Sequence, residues 1–191
     1  MRSRILMGIA LCTALLGGCT SGDTPSQVRY SMIQDLQPRM MSDSPNVKLL
    51  LNPALDGGGI VLQVSEHSLR EARFHRWAEP LDSQLTALVN NALGREKFSL
   101  KDQNLEVYVS RFQGSESGKV YVSAAFSLVN NNGRILRTSN RQFEADQIAP
   151  GYDALVSTLR SGFDKICHEA ILELKGAVSK TESVSRKSGR K

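Results

Sequence analysis

Leu105-Glu106-Val107-Tyr108-Val109-Ser110 and, beyond the loop Gly114-Ser115-Glu116-Ser117-Gly118, the run Val120-Tyr121-Val122-Ser123-Ala124-Ala125-Phe126-Ser127-Leu128 decide the fold. In both runs apolar residues alternate with polar or smaller ones, the period of a strand with one buried face. Two such runs joined by a glycine-bounded loop predict a hairpin. Asn130-Asn131-Asn132-Gly133 is a further turn signal, because Asn and Gly tolerate positive φ at little cost. The next strand, Arg134 to Ala145, is ragged, and its Arg134, Arg137 and Arg141 suit an edge, where charge discourages sheet-to-sheet association.

Outward from this hairpin the period changes to that of a helix. Leu81, Leu85, Leu88 and Ala92 form one stripe, widened by Val89 and Leu93, with Pro80 at the start and Gly94 where a stop is expected. Tyr152, Leu155, Leu159, Phe163, Ile166, Ala170 and Leu174 step by three or four and predict a second helix of about 25 residues, roughly 37 Å long. Upstream, Val28 to Met32, Val47 to Leu51 and the alternation Ile60, Leu62, Val64 read as short strands, with Gly57-Gly58-Gly59 as the loop into the third and Arg73 to Trp77 as a candidate fourth. The fold class is therefore α+β: a mainly antiparallel sheet covered on one face by two helices, in the order β-β-β-α-β-β-β-α, as a single domain spanning residues 28–178.

The 191 residues, 40% hydrophobic and 23% charged, are ordinary globular values that exclude wholesale disorder, a collagen-like fibre and a multi-span membrane protein. Three cysteines exclude a disulfide-scaffold miniprotein. The formal charge of +5 resides at the ends of the chain. Residues 1–18 carry Arg2 and Arg4. The segment 179–191 carries Lys180, Arg186, Lys187, Arg190 and Lys191 against Glu182, so the span between is nearly neutral. That final segment has no apolar face and reads as a disordered basic tail.

The basic start Met1-Arg2-Ser3-Arg4 runs into an apolar stretch from Ile5 to Leu16, whose length of about 18 Å as a helix is short of the roughly 30 Å of a bilayer core. This is the layout of a signal peptide. Leu16-Gly17-Gly18-Cys19 resembles the bacterial lipobox: an apolar residue three before Cys, then two small residues that let a peptidase reach the backbone. The resemblance implies that residues 1–18, with Cys12, are removed and that Cys19 becomes a lipidated N-terminus. Its acyl chains would hold the protein on a membrane without spanning it. Residues 19–27 then form a short polar tether, and Thr20 in place of Asp points, by analogy with lipoprotein sorting, to the periplasmic face of the outer membrane.

The inventory for chemistry is thin. His67, His75, His168 and Cys167 are the strong metal ligands and nucleophiles besides Cys19, and neither His-x-x-x-His nor Cys-x-x-Cys spacing occurs. Cys167 and His168, adjacent on a helix, point about 100° apart and cannot close on one ion, so Cys167 reads as a core residue and no metal is expected. Gly57-Gly58-Gly59 lacks a following Lys-Ser/Thr and reads as a turn rather than a phosphate loop. With no Gly-x-Ser-x-Gly elbow and no distinctive carboxylate pair, an enzyme is disfavoured and no cofactor beyond the lipid on Cys19 is expected. Nucleic acid is excluded as a partner, because an exported chain does not meet it and no aromatic platform accompanies the basic residues.

The most distinctive string is Arg76-Trp77-Ala78-Glu79-Pro80-Leu81 at the start of the first helix. It resembles the Arg-Trp-Ala-x-Pro signature of the ABC-type transport auxiliary lipoproteins, the PqiC (YmbA-like) family. Tyr30-Ser31-Met32, and Phe112-Gln113-Gly114 followed by Gly118-Lys119-Val120-Tyr121-Val122-Ser123-Ala124, resemble that family's opening strand and its Phe-x-Gly hairpin. Phe126 departs from the family, which often has Trp there. The resemblance marks Arg76, Trp77, Ala78, Pro80, Phe112, Gly114 and Gly118 as signature residues, with Trp77 a core or interface anchor. It implies an accessory lipoprotein of an MCE-type lipid transport system, docking with a periplasmic MCE-domain protein and an inner-membrane transport component. A phospholipid as ligand and a homo-oligomer stay open. The alternatives are a lipid-binding carrier with a cavity between helices and sheet, and an outer-membrane activator of cell-wall synthesis.

Overall fold

A computed structural model describes residues 26–34 and 46–188, with side-chain positions as far as Gly176. The expected signal peptide, Cys19 and most of the tether lie outside the described residues. The elements are β1 (Val28–Tyr30), β2 (Val47–Leu51), a 3-10 turn (Pro53–Leu55), β3 (Gly59–Ser65), β4 (Ser68–Trp77), α1 (Leu81–Arg95), β5 (Gln103–Ser115), β6 (Lys119–Asn130), β7 (Ile135–Asp146) and α2 (Tyr152–Ser188).

The 13 residues of β5 form the axis of the sheet. Along one side β5 pairs antiparallel with β6, which pairs antiparallel with β7. Along the other side its first half pairs with β2 and its last residues with β3, both parallel. The β3–β4 hairpin is antiparallel and β1 closes that edge parallel to β4. The seven-stranded sheet is thus mixed, where alternation alone predicts a mainly antiparallel one. The physical reason is connectivity: β3, β4 and α1 intervene between β2 and β5, and a connection of that length lets the chain return in the same direction, which a tight hairpin does not.

The order also gains a strand, because four precede α1. β4 carries little alternation, since Ser68, Leu69, Arg70, Glu71 and Arg73 are exposed and only Ala72 and Trp77 are buried. A strand that runs beyond its helical cover has no reason to alternate. At the other end the helical backbone of α2 continues to Ser188, giving 37 residues where the apolar stripe predicts about 25. From Ala177 to Ser188 the chain contains no Gly or Pro to end it, so the segment read as a tail from Ser179 is largely helical in backbone.

Both helices cover one face of the sheet. Leu105, Val107 and Val109 of β5 and Val120, Val122, Phe126 and Leu128 of β6 are essentially inaccessible to water, packed with Leu85, Leu88 and Ala92 of α1 and Leu159, Phe163, Ile166 and Leu174 of α2. An irregularity between Val109 and Arg111 changes the parity of β5, so that Phe112 and Gly114 continue the buried face and Arg111 turns to the open one. Gly114 lies close beneath two leucines there: a Cβ would lie 2.8 Å from Leu155 Cδ1 and 3.0 Å from Leu62 Cδ2, so the buried Leu155 would have to shift. The opposite face of the sheet carries Tyr108, Tyr121, Ser123, Ala125 and Ser127, with no helix over it among the described residues.

Candidate functional site

The signature string sits where β4 hands over to α1, and backbone geometry explains each member. Gly58 has φ +84°, a conformation that an L side chain rarely adopts, and its carbonyl accepts from Trp77 N at 2.9 Å. Arg76 lies across this loop. Its Nη2 donates to Gly57 O at 2.7 Å and its Nη1 to Glu71 Oε1 at 3.2 Å, while the same Glu71 oxygen accepts from Gly59 N at 2.6 Å. The guanidinium is therefore a clamp that closes the glycine turn against β4.

Trp77, next along the strand, points the other way and is 4% exposed. Its ring lies 5.9 Å from Phe112, which meets Phe163 edge-on at 6.0 Å and 87°. Ala78 N donates to Tyr30 O at 2.8 Å, binding β1 to the end of β4. Pro80 occupies the N-cap of α1 with φ −50° and ψ 134°, and its carbonyl accepts from Gln84 N. The structure thus brings Arg76, Trp77, Ala78, Pro80 and Phe112 together. It keeps Gly118 apart, in the β5–β6 turn with φ +82°.

Sequence reasoning missed Gln84, which is fully buried. Its Oε1 accepts from Met32 N at 2.8 Å and its Nε2 donates to Glu79 O at 3.0 Å, so one amide ties the segment after β1 to the start of α1. The available signal was a Gln flanking Leu85 on the apolar stripe, which is costly unless both ends of the amide are satisfied.

Around these residues is a cleft of about 460 Å³, lined among others by Arg29, Asp56, Gly58, Arg76, Ala78 and Pro80. Beside Pro80, Glu79 holds a carboxylate oxygen, Oε2, that is buried and accepts no hydrogen bond among the described residues. Arg29 Nη2 donates to Gln27 Oε1 at 3.0 Å, its one hydrogen bond among the described residues. The cleft therefore offers a guanidinium on one wall and a carboxylate near another, an arrangement suited to holding a polar or charged segment. It presents no nucleophile with an adjacent base.

The titratable residues singled out by type are dispersed. His75 Nδ1 and Tyr30 Oη share a 2.9 Å hydrogen bond, and the imidazole stacks on Tyr152 at 3.7 Å and 11°. Burial, with the nearby Asp153 and Tyr152, raises the Tyr30 pKa. His168 Nδ1 pairs with Glu96 Oε1 at 2.8 Å, and His67 is exposed beside Glu66. Cys167 is buried, and desolvation pushes its thiol well above the ordinary range, which leaves it protonated and inert. Among the described residues no group of three or more His, Cys, Asp or Glu could hold a metal ion, and no helix is long and apolar enough to cross a membrane.

Two solved structures share this fold. One, titled only as a crystal structure of an uncharacterized protein, is 26% identical with a TM-score of 0.60, covering 67% of this chain and 88% of its own. The other, protein XCC0632 from Xanthomonas campestris, is 14% identical with a TM-score of 0.63, covering 72% of this chain and 86% of its own. No curated protein matches the chain. The model of the ABC-type transport auxiliary lipoprotein component matches residues 48–170, from β2 through most of the packed part of α2. On that match, the chain belongs to the ABC-type transport auxiliary lipoprotein family, of the PqiC and YmbA kind.

Proposed function

We propose that this protein is a docking component of an MCE-type lipid transport system, anchored through a lipidated Cys19 to the periplasmic face of the outer membrane. The observation that carries the reading is the extent of the family match. Residues 48–170 contain almost all of the packed α/β domain, while the lipobox Leu16-Gly17-Gly18-Cys19 lies outside it on a short polar lead. A membrane address is thus joined to a binding module. Tethering raises the local concentration of such a module at the far side of a periplasmic conduit without adding contacts. Its partners in this reading are a periplasmic MCE-domain protein and, through it, an inner-membrane transport component.

The domain works by docking, and the signature cleft, with Arg29 on its wall and Glu79 beside it, is its candidate contact. A carrier holding lipid between helices and sheet is less well supported. That space is filled by Phe112, Phe126 and Phe163, each essentially inaccessible to solvent.

Affinity capture of the full chain from detergent-solubilised envelopes, with Cys19 intact, tests the reading. Recovery of an MCE-domain protein, lost on Arg29→Glu with the fold preserved, is the expected result. Capture that yields no MCE-domain protein overturns the proposal.

A further inference from the structure

The face of the sheet turned away from the helices carries a hollow of about 290 Å³. Its floor is made by the small side chains of Ser123 and Ala125 on β6. Register places Tyr108 of β5 opposite Ala125 on one side, and on the other side Asn140 of β7 opposite Ala125 and Gln142 opposite Ser123. The two flanks stand two strands apart, about 10 Å, and the short residues between them keep the middle low. Ser110 completes the lining. It is the extra residue of β5 where pairing with β6 slips between Val109 and Arg111, and its Oγ donates to Ser123 O at 3.2 Å.

This hollow combines unused hydrogen-bonding capacity with an absence of charge. Among the described residues, Tyr108 Oη, Ser123 Oγ and the carboxamides of Asn140 and Gln142 make no hydrogen bond. Tyr108 is 44% exposed, and Asn140 and Gln142 are exposed as well. The charged groups of the same face are engaged with one another or with neighbours outside the hollow. Lys48 lies 4.0 Å from Glu106, and Arg111 stacks 4.1 Å over the Tyr121 ring while donating to Gln63 Oε1. Arg141, between the two carboxamides in sequence, donates from Nη2 to Glu173 on the helix side and from Nη1 to the main-chain oxygen of Asn140.

We infer that this hollow binds a neutral glycan, with a sugar ring resting over β6 beside Tyr108. A hydroxyl both donates and accepts, and so do a carboxamide, a serine and a tyrosine, so the lining matches a polyol in both senses. An anion calls for cationic or surplus donors and a cation for carboxylates, and the hollow offers neither. The exposed Tyr108 ring supplies apolar surface with a polar tip, which suits the C–H face and the hydroxyl rim of a pyranose. An acyl chain laid here would cover four polar groups without pairing them, at a cost in free energy. An extended peptide gains affinity from a main-chain ladder, but the main chain of β6 beneath the hollow is already paired with β5 and β7. The hollow shares no residue with the signature cleft, so the inference is independent of the docking reading above.

The test is titration calorimetry on the full chain, in a detergent without a sugar head group, with chitotetraose, cellotetraose and maltotetraose as neutral probes. At least one should bind with a Kd of about 1 mM or tighter. Tetragalacturonate and the glucosamine tetramer, which add charge to each ring, should bind at least about tenfold more weakly. Tyr108→Ala should weaken the neutral probe at least about tenfold, and so should Asn140→Ala combined with Gln142→Ala. Tyr108→Phe, which keeps the ring, should cost less, and Leu172→Ala on the exposed side of α2 should change nothing. Far-UV circular dichroism verifies each fold. No binding of any neutral tetrasaccharide up to about 10 mM, tighter binding of a charged probe, equal affinity for an uncharged Gly-Ser tetrapeptide, or an affinity unmoved by Tyr108→Ala and by the carboxamide pair overturns the proposal.

Discussion

The corner at Trp77 and the rim at Glu173 are held in opposite ways. At the corner, groups are buried and connected through the main chain: Gln84 bridges Met32 N and Glu79 O, Gly58 O receives Trp77 N, and the aromatic rings of Trp77, Phe112 and Phe163 fill what remains. At the rim, partly exposed side chains do the work. Ser139, Arg137 and Arg141 converge on Glu173, whose side chain is 34% exposed. Buried packing and satisfied amides resist salt and pH, whereas half-exposed ion pairs are weak and screened. The comparison separates a region that specifies the domain from one whose strength depends on conditions.

The largest way to break the difference is at the corner. Trp77→Ala should cost about 3–5 kcal/mol in urea unfolding, as for a large aromatic removed from a packed core. Phe112→Ala should cost a similar amount, and the double variant less than their sum, because the rings touch. Gln84→Leu keeps volume but leaves the Met32 N–H without its acceptor, and should cost about 1–3 kcal/mol. Gly58→Ala forces φ +84° on a residue with a Cβ and should cost about 1–2 kcal/mol, read as a shift in midpoint without a change in slope.

At the rim the sign of the pH response sharpens the contrast. The Ser139 hydrogen bond, opposed by partial desolvation and reinforced by Arg141 and Arg137, lowers the Glu173 pKa below its ordinary value of 4.5. The unfolded chain therefore binds this proton first. The stabilisation is complete above the ordinary carboxylate range and is lost as pH falls through the lowered native value. Glu173→Gln should be the mildest variant at neutral pH and should flatten the acid limb of the stability profile, while the profile of Gln84→Leu keeps its shape. An unchanged acid limb would remove Glu173 from this role.

Both helices and the β5–β6 hairpin were legible because their faces are buried on one side only, which imprints a period on Leu81 to Leu93, Leu105 to Val109 and Val120 to Leu128. β4 was faint because it extends past the helices, and nothing selects for alternation where both faces meet water. Parallel pairing of β2 and β3 with β5 leaves no local trace, since it depends on which distant edge is free. Of the corner, the signature residues Arg76 to Pro80 could be found by their resemblance. Gln84 could not, because its value comes from two backbone groups, Met32 N and Glu79 O, that only the fold brings within 3.0 Å.

The position of β5 sets a timetable for the chain. β2 and β3 are made before β5, yet β5 is where both find a parallel partner, more than forty residues downstream in each case. Until β5 emerges only the β3–β4 hairpin can close locally, and the parallel pairs must wait for long loops to be drawn together, the slow kind of contact in folding. β5 and β6, by contrast, form their hairpin as soon as both exist. The middle of the sequence thus acts as the organiser of its beginning, and Val47 to Leu51 remains an apolar segment in need of protection until that organiser arrives.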